Sequence, residues 1–364
     1  MVYFNSINKQ ESYVELTTKD GEKHIIPANS IIYVEDGSGM VSIKNTASRK
    51  TIGLISEEAY HKNPDEPDHY KVWGYLTDGS VYVVSENGDS GLTSSEVSQY
   101  KATMATANIG TGVTEIGYGA FNGFSNLTSL TISDGVETIK GRAFYKTGLK
   151  DVKIGSGLTS VGGYNFEQVL SIEKLYINCK NINFSFCTAG YSGSLTEVVF
   201  GKNVEIIGGY FSGPLTSLTI PSNVKALNAY FGLPNLQEII LNEGLEEMRA
   251  SIHYAPITTV TIPNSVKIFT GQIFRGCSNL ETAIFGNRLE KFGDPFISCT
   301  KLKTVIIKTL TPPECEGYYA PFNYNLNAEL KIYVPDESVD AYKAASGWSD
   351  VADRIKPISE YDGE

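Results

Sequence analysis

The chain has 364 residues and a formal net charge of −11, with 30 basic against 41 acidic side chains. An acidic balance without a basic stripe disfavours nucleic acid as a partner and favours a well-solvated surface. The sequence contains no run of roughly 18 apolar residues, so it offers no membrane-spanning helix.

Residues 1–91 carry no internal repeat, and they alternate apolar and polar residues in short runs such as 13–17 and 30–34. Turn dipeptides separate the runs, for example Asp20-Gly21, and Asp-Gly between alternating runs is a strong hairpin signal. We therefore expect a small antiparallel β domain over 1–91 that anchors or spaces the rest of the chain.

Residues 92–112 are interpreted as a linker or as an N-terminal cap. Thr93 and Glu96 have the spacing of a capping box, which favours a short helix. Three apolar residues would form one stripe of that helix: Val97, Tyr100 and Met104. The stripe fits packing on a first coil. It also fits a helix over 92–108 through which the chain oligomerises. The N-terminal domain is the other candidate region for oligomerisation.

Residues 113–310 consist of nine copies of one short pattern, spaced 20 to 23 residues apart. The copies begin at Val113, Val136, Leu158, Asn181, Val204, Val224, Leu245, Val266 and Leu289. A repeat of this length cannot bury its own apolar side, whereas stacked copies share one continuous core. The pattern predicts a mainly β solenoid of nine coils. Phenylalanines that recur once in most copies should form a ladder inside it: Phe121, Phe144, Phe166, Phe211, Phe231 and Phe274.

Several copies share short blocks, such as Ile116-Gly117 with Ala120-Phe121, 261–266 and 274–280. These blocks resemble the BspA-like (treponemal-type) leucine-rich repeats that are common in surface proteins of gut and oral bacteria. The resemblance covers about 250 of the 364 residues. It implies a leucine-rich repeat fold and a ligand that is a surface protein or a glycan. The copies that begin at Asn181 and Leu245 depart from the pattern because they lack the Ala-Phe pair.

Residues 311–364 are predicted to cap the solenoid. Pro335 and the acidic residues after it are typical of a helix start, and 338–345 should form a short helix. Trp348 is expected to close the exposed end of the core. The tail at 330–358 resembles the usual end of such arrays in Bacteroides-type proteins.

The chain has five cysteines, an odd number that disfavours a fully paired disulfide framework. Cys277 and Cys299 lie one repeat apart at the same place in the pattern. They fit buried small apolar residues, and they also fit a bridge between stacked coils.

Two strips of the solenoid are candidate ligand-binding surfaces. The first follows a line of tyrosines that recur about once per copy beside the phenylalanine ladder: Tyr118, Tyr145, Tyr164, Tyr191, Tyr210, Tyr230 and Tyr254. Its candidate binding residues are Tyr164, Tyr210 and Tyr230. The second lies on the predicted concave sheet face: Tyr176, Glu197, Thr219 and Ile240. Exposed aromatic rings supply flat contact area with a polar tip, whereas outward β-branched residues are also simply good strand formers.

No nucleophile, metal-ligand or nucleotide-binding motif is present, so the sequence predicts no enzyme, no cofactor and no metal site. The leading hypothesis is a non-enzymatic extracellular recognition or adhesion protein at a cell surface. The alternative is a phage virion or fibre-type protein whose N-terminal domain docks on the particle. Residues 1–21 lack the apolar segment of a secretory signal, which fits either a mature exported chain or another route to the exterior.

Overall fold

A computed structural model describes residues 2–9, 13–18, 23–27, 31–35, 40–45, 51–56, 70–85, 89–166, 169–186, 193–316, 321–322 and 327–363. The chain divides into two compact units, Met1–Tyr70 and Lys71–Glu364. The sequence predicts this division at residue 91. The structure places it earlier because the strands directly after Tyr70 pair with the solenoid and not with the first unit.

The first unit contains one six-stranded sheet. Its strands are β1 (Val2–Lys9), β2 (Tyr13–Thr18), β3 (Lys23–Pro27), β4 (Ile31–Glu35), β5 (Met40–Asn45) and β6 (Thr51–Ser56). The order is β3-β2-β1-β6-β5-β4, and every neighbouring pair is antiparallel except β1 and β6. The expected antiparallel domain thus consists of two antiparallel halves of three strands each, β1–β3 and β4–β6. The halves meet through one parallel pair, because β1 pairs with β6.

The second unit is a β solenoid in which each coil has three sides. The first side carries the long strands β10 (Thr106–Ile109), β12 (Ser129–Ile132), β14 (Asp151–Ile154), β16 (Lys174–Ile177), β18 (Glu197–Phe200), β21 (Ser217–Ile220), β24 (Glu238–Leu241), β26 (Thr259–Ile262), β28 (Thr282–Phe285), β30 (Thr304–Ile307) and β32 (Lys331–Val334). The outward side chains of these strands form what we term the strand face.

The second side carries two-residue strands, and the third side consists mainly of turns. The short strands are β9 (Gly91–Leu92), β11 (Glu115–Ile116), β13 (Thr138–Ile139), β15 (Ser160–Val161), β17 (Asn181–Ile182), β19 (Ile206–Ile207), β22 (Ala226–Leu227), β25 (Glu247–Met248), β27 (Ile268–Phe269), β29 (Lys291–Phe292) and β31 (Glu314–Cys315). On the third side, β20 (Tyr210–Ser212) and β23 (Tyr230–Gly232) replace the turn in two adjacent coils.

The structure has eleven coils where the sequence predicts nine, because one further coil closes at each end. Neither end carries the consensus pattern, but β10 has the same alternation of half-buried and buried residues as β12. Successive long strands pair in parallel without a register slip over much of the array, as at Leu130, Val152, Leu175 and Val198. In-register stacking places the apolar positions of each copy directly over those of the next.

An antiparallel hairpin covers the N-terminal end of the array. It consists of β7 (Tyr70–Tyr75) and β8 (Val81–Ser85), and β7 pairs antiparallel with β10. Helix α1 (Ser94–Val97) and a 3-10 turn (Ser98–Tyr100) take the third side of this first coil. The predicted stripe faces inward here: Val97 and Met104 are fully buried, and Tyr100 is half-buried.

A buried lysine joins the hairpin to α1. Lys71 is only 1% exposed, and its Nζ donates to Glu96 Oε1 at 2.8 Å and to the Gly91 carbonyl at 2.6 Å. The Glu96 carboxylate also accepts the Thr93 backbone N–H at 2.7 Å, as the capping-box spacing predicts. Partial burial raises the pKa of Glu96, but the hydrogen bonds from Lys71 and Thr93 outweigh it and hold the pKa below its ordinary value.

The phenylalanine ladder is confirmed as core. Phe121, Phe144 and Phe166 are fully buried, and their ring centroids lie 5.4 Å and 5.2 Å apart in parallel stacks. Phe211 and Phe231 stack in the same way at 5.3 Å. In the copy that begins at Leu245, Ile252 takes the ladder position, since its N–H donates to Ile273 just as that of Phe121 donates to Ala143.

The C-terminal cap contains helix α2 (Val339–Ala344), strand β33 (Ile355–Pro357) and 3-10 turns at Asp336–Ser338, Ser349–Arg354 and Ile358–Glu360. Trp348 closes the core as predicted: it is fully buried, packs on Phe292 at 5.5 Å, and donates from Nε1 to the Pro313 carbonyl at 2.9 Å.

Cys277 and Cys299 are buried free thiols and not a bridge between coils. Each donates to a carbonyl of the preceding coil, Cys277 to Ile252 at 3.2 Å and Cys299 to Phe274 at 3.1 Å. Burial raises the pKa of the Cys277 thiol to about 12. Cys187 lies outside the described residues.

Candidate binding surfaces

The hydrogen-bonded ladder of long strands is interrupted twice. Strand β18 ends a seven-stranded sheet, β21 pairs only with β24, and β26 begins a five-stranded sheet, among the strands that the structure describes. Each strand that follows an interruption ends in isoleucine, and a proline comes directly after it. These prolines are Pro221 after β21 and Pro263 after β26.

Proline explains part of this pattern. In six other coils, the amide after a long strand donates to the last carbonyl of the preceding long strand, as Gly201 does to Ile177 at 2.7 Å and Asn242 to Ile220 at 3.2 Å. Pro221 and Pro263 have no N–H to donate. Pro335 occupies the same place after β32, which still pairs with β30 but over three residues instead of four.

A groove opens at the first interruption. A cavity of about 290 Å³ lies between β18 and β21, with Val198, Phe200 and Leu215 among its lining residues. The two coils remain joined on their other sides, where Gly208 donates to the Ile182 carbonyl at 2.7 Å and Phe186 donates to the Tyr210 carbonyl at 2.8 Å. The interruption between these two coils is therefore confined to the side of the long strands.

Apolar side chains flank this groove on the strand face. Tyr176, Val199 and Ile240 are 38%, 45% and 42% exposed, and register places Tyr176 beside Val199 and Thr219 beside Ile240. We term these four residues the apolar strip. The predicted sheet-face residues therefore lie together, except that Glu197 stands in the neighbouring column, 3.9 Å from Lys174. Val199 is not among the binding residues predicted from the sequence, although its outward position on β18 places it in the same column as Tyr176.

The predicted tyrosine line does not form one continuous strip. Tyr210 and Tyr230 lie on β20 and β23 with their rings stacked at 4.3 Å and an interplanar angle of 14°. Each ring therefore covers a face of the other, and an edge contact with His253 at 5.4 Å also restricts Tyr230. Tyr164 lies apart and is exposed, with the Arg142 guanidinium 5.3 Å from its ring centroid.

Two other tyrosines of the line, Tyr118 and Tyr254, are the most exposed large aromatic residues that the structure describes. Tyr254 lies against Gly276 of the next coil, and its backbone is left-handed, with φ +59°. For a bulky residue this conformation costs about 1–2 kcal/mol. Tyr191, from the copy that begins at Asn181, lies outside the described residues.

Several charges on the solenoid surface are paired between adjacent coils. Lys140 bonds to Glu115 at 3.1 Å, and Lys150 bonds to Glu173 at 2.9 Å. Exposed pairs of this kind contribute about 1 kcal/mol or less each. They leave the apolar strip as the main departure from an ordinary polar strand surface.

No group of three or more histidine, cysteine, aspartate or glutamate residues is arranged to hold a metal ion in the described parts of the chain. Over the same residues, no helix is long and apolar enough to cross a membrane.

Solved structures similar to the chain include three leucine-rich proteins. One is a leucine-rich repeat protein from Bacteroides ovatus, with 19% identity and a TM-score of 0.39 over 86% of this chain and 79% of that chain. Another is a leucine-rich cell surface protein from Faecalibacterium prausnitzii, with 17% identity and a TM-score of 0.34 over 98% and 95%. The third is a leucine-rich repeat protein of T. pallidum, with 18% identity and a TM-score of 0.30 over 65% and 89%.

Comparison with curated proteins found no match. Among protein families, the model of the BspA type leucine rich repeat region matches in six copies, over residues 95–213 and 209–312. These ranges run from α1 to just beyond β30 and include more than half of the chain.

Proposed function

Because the chain belongs to the BspA-type leucine-rich repeat family, we propose that it is a non-enzymatic recognition protein that acts outside the cell. Its ligand is a surface protein or a glycan. The apolar strip beside the open groove carries the proposal. An exposed apolar patch on a rigid scaffold is unfavourable in water unless a ligand covers it.

The packing beneath the strip supports a binding role. Leu175, Leu218 and Ile239 face the core between the outward residues, so the strip is held by side chains that cannot easily rearrange. A preformed surface loses little conformational entropy when a ligand binds. The strip also combines one aromatic ring with β-branched side chains, and aromatic residues are favoured anchors at interfaces.

The test begins with protein and glycan arrays probed with the full chain, followed by titration of the strongest ligand. A variant with Tyr176→Thr, Val199→Thr and Ile240→Thr keeps β-branched residues in the strands but removes the apolar surface. We expect affinity to fall at least about thirtyfold. Ile284→Thr, in the same outward column on β28, is the matched control and should bind as wild type does.

A second variant decides between the two predicted strips. Tyr164, Tyr210 and Tyr230 changed together to alanine should leave affinity unchanged if the strand face is the site. Loss of binding in that variant alone would move the site to the third side. If neither variant weakens binding, the proposed strand-face site is wrong and residues 1–70 become the place to search.

A further inference from the structure

Tyr254 lies exposed on the third side of the solenoid, apart from the strand face. The residue combines two unfavourable features: a left-handed backbone, at φ +59°, and a ring that is 66% exposed. Burial of the ring therefore does little to offset the backbone strain. The same turn position is left-handed in other coils, so the turn sets this backbone and the exposed ring is what distinguishes Tyr254.

Adjacent coils show what the position ordinarily holds. The Tyr254 N–H donates to the Arg275 carbonyl at 3.0 Å, and the Gly276 N–H donates to the Ile297 carbonyl at 2.8 Å. These equivalent bonds align Tyr254 with Gly276 and Ser298, which are also left-handed at φ +73° and +61°. Gly123 and Lys146 hold this position in earlier coils, so the turn accepts residues of very different size and does not itself require a phenol ring.

The ring is fixed in place by the glycine of the next coil. A Cβ atom on Gly276 would lie 2.4 Å from the Cδ1 and Cε1 atoms of Tyr254, closer than any side chain permits. The absence of a side chain at Gly276 thus lets the ring lie against the backbone. One side of the ring is supported by the next coil, and the opposite side meets solvent.

Polar residues lie next to Tyr254 in its own coil and in the next one. The His253 ring lies 6.1 Å from that of Tyr254 at an interplanar angle of 84°, and its Nε2 is 2.9 Å from the Gln272 carbonyl. Arg275 is exposed, and its Nη1 donates to Gln272 Oε1 at 3.1 Å. Asp294, 8% exposed, lies close to Gln272.

The state of His253 adds to the polar rim. Partial burial lowers the pKa of His253, so the ring is neutral at neutral pH. A carbonyl oxygen can only accept a hydrogen bond, so Nε2 carries the proton and donates to Gln272. In a neutral imidazole the other nitrogen, Nδ1, is then an acceptor.

We propose that Tyr254, with His253, Gln272 and Arg275 around it, forms a subsite for one pyranose ring of a glycan. The face of an aromatic ring is electronegative and attracts the C–H groups that line one face of a pyranose. The hydroxyl groups at the sugar rim need both donors and acceptors, which the guanidinium, amide and imidazole provide. An apolar peptide side chain would form no hydrogen bonds with these polar groups.

The experiment is saturation-transfer NMR on the full chain with the methyl pyranosides of glucose, galactose, N-acetylglucosamine and glucuronic acid. We expect transfer to at least one of them. Tyr254→Ala should abolish the signal, and Gly276→Ala should weaken it at least about tenfold, because the added methyl group displaces the ring without removing it. Tyr118→Ala removes an equally exposed ring elsewhere and should change nothing.

Wild-type chain that transfers to none of the four sugars would overturn the proposal, as would equal transfer from a folded Tyr254→Ala variant. Circular dichroism confirms that each variant folds. The subsite does not depend on the strand-face proposal. The triple threonine variant of the apolar strip should keep its full pyranoside signal, so failure of one proposal leaves the other standing.

Discussion

The long strands from β10 to β18 and from β26 to β32 form continuous ladders, whereas β21 and β24 form an isolated pair between them. The core beneath shows no such interruption, since buried residues from Val72 to Ile355 belong to one cluster. The contrast teaches that the coils of β18 and β21 are held together by the shared interior and by hydrogen bonds on their other two sides. The strand face is therefore free to open a groove without loss of the fold.

The largest effect is expected in the continuous part of the array. Phe144→Ala should lower the free energy of unfolding by about 3–5 kcal/mol, because it leaves a cavity between the stacked rings of Phe121 and Phe166. Urea denaturation measures the change. Tyr118→Ala removes a ring that is largely exposed and should stay within about 0.5 kcal/mol of wild type. A midpoint for Phe144→Ala equal to that of wild type would show that the ladder does not hold the coils together.

A smaller effect is expected where the continuous ladder meets its N-terminal hairpin. Lys71→Met keeps most of the side-chain volume but removes the bonds to Glu96 and Gly91. We expect a loss of about 2 kcal/mol, since hydrogen bonds to charged groups contribute about 1.5–3 kcal/mol. Urea denaturation measures it, and Lys153→Met, which changes an exposed lysine on β14, is the matched control.

The same pair predicts a pH dependence of known sign. The pKa of Glu96 in the folded chain lies below its ordinary value of 4.5. Its contribution to stability is therefore present above pH 4.5 and is lost as the pH falls through the lower folded value. In Glu96→Gln this part of the acid destabilisation should be absent. An unchanged acid profile would mean that Glu96 is not held by Lys71 in solution.

The smallest change in stability tests the interruption itself. Pro221→Ala restores an N–H that can donate to the Phe200 carbonyl, as Gly201 donates to Ile177. We expect stability within about 1 kcal/mol of wild type, because the new hydrogen bond and the more flexible unfolded chain oppose each other. The new amide should exchange slowly with deuterium, and the groove should narrow. Rapid exchange at residue 221 would show that proline is not what separates β21 from β18.

Local periodicity explains why much of the fold could be predicted. The repeat, the phenylalanine ladder, the capping pair Thr93 and Glu96, and Trp348 at the core end each depend on residues close in sequence or one copy apart. The extra coils at both ends could not be counted, because neither β10 nor β32 carries the consensus residues, and only β10 keeps the alternation of half-buried and buried positions.

The candidate surfaces were harder to predict because they depend on contacts between copies. The sequence shows Pro221, but not that a neighbouring coil uses the amide at that position. It shows Tyr210 and Tyr230 at repeat spacing, but not that β20 and β23 replace the usual turn and stack the two rings on each other. The strain at Tyr254 appears only in its backbone conformation.

The antiparallel direction of β7 also constrains how the array can change in length. A further coil at this end would have to pair its long strand in parallel with the terminal strand of the sheet. The strand β7 that lies there runs antiparallel to β10. At the other end, β33 is three residues long and finishes in Pro357, which has no N–H to offer another strand. Whole coils can therefore be gained or lost between the two ends, where each added copy finds a parallel neighbour on both sides, but not beyond them.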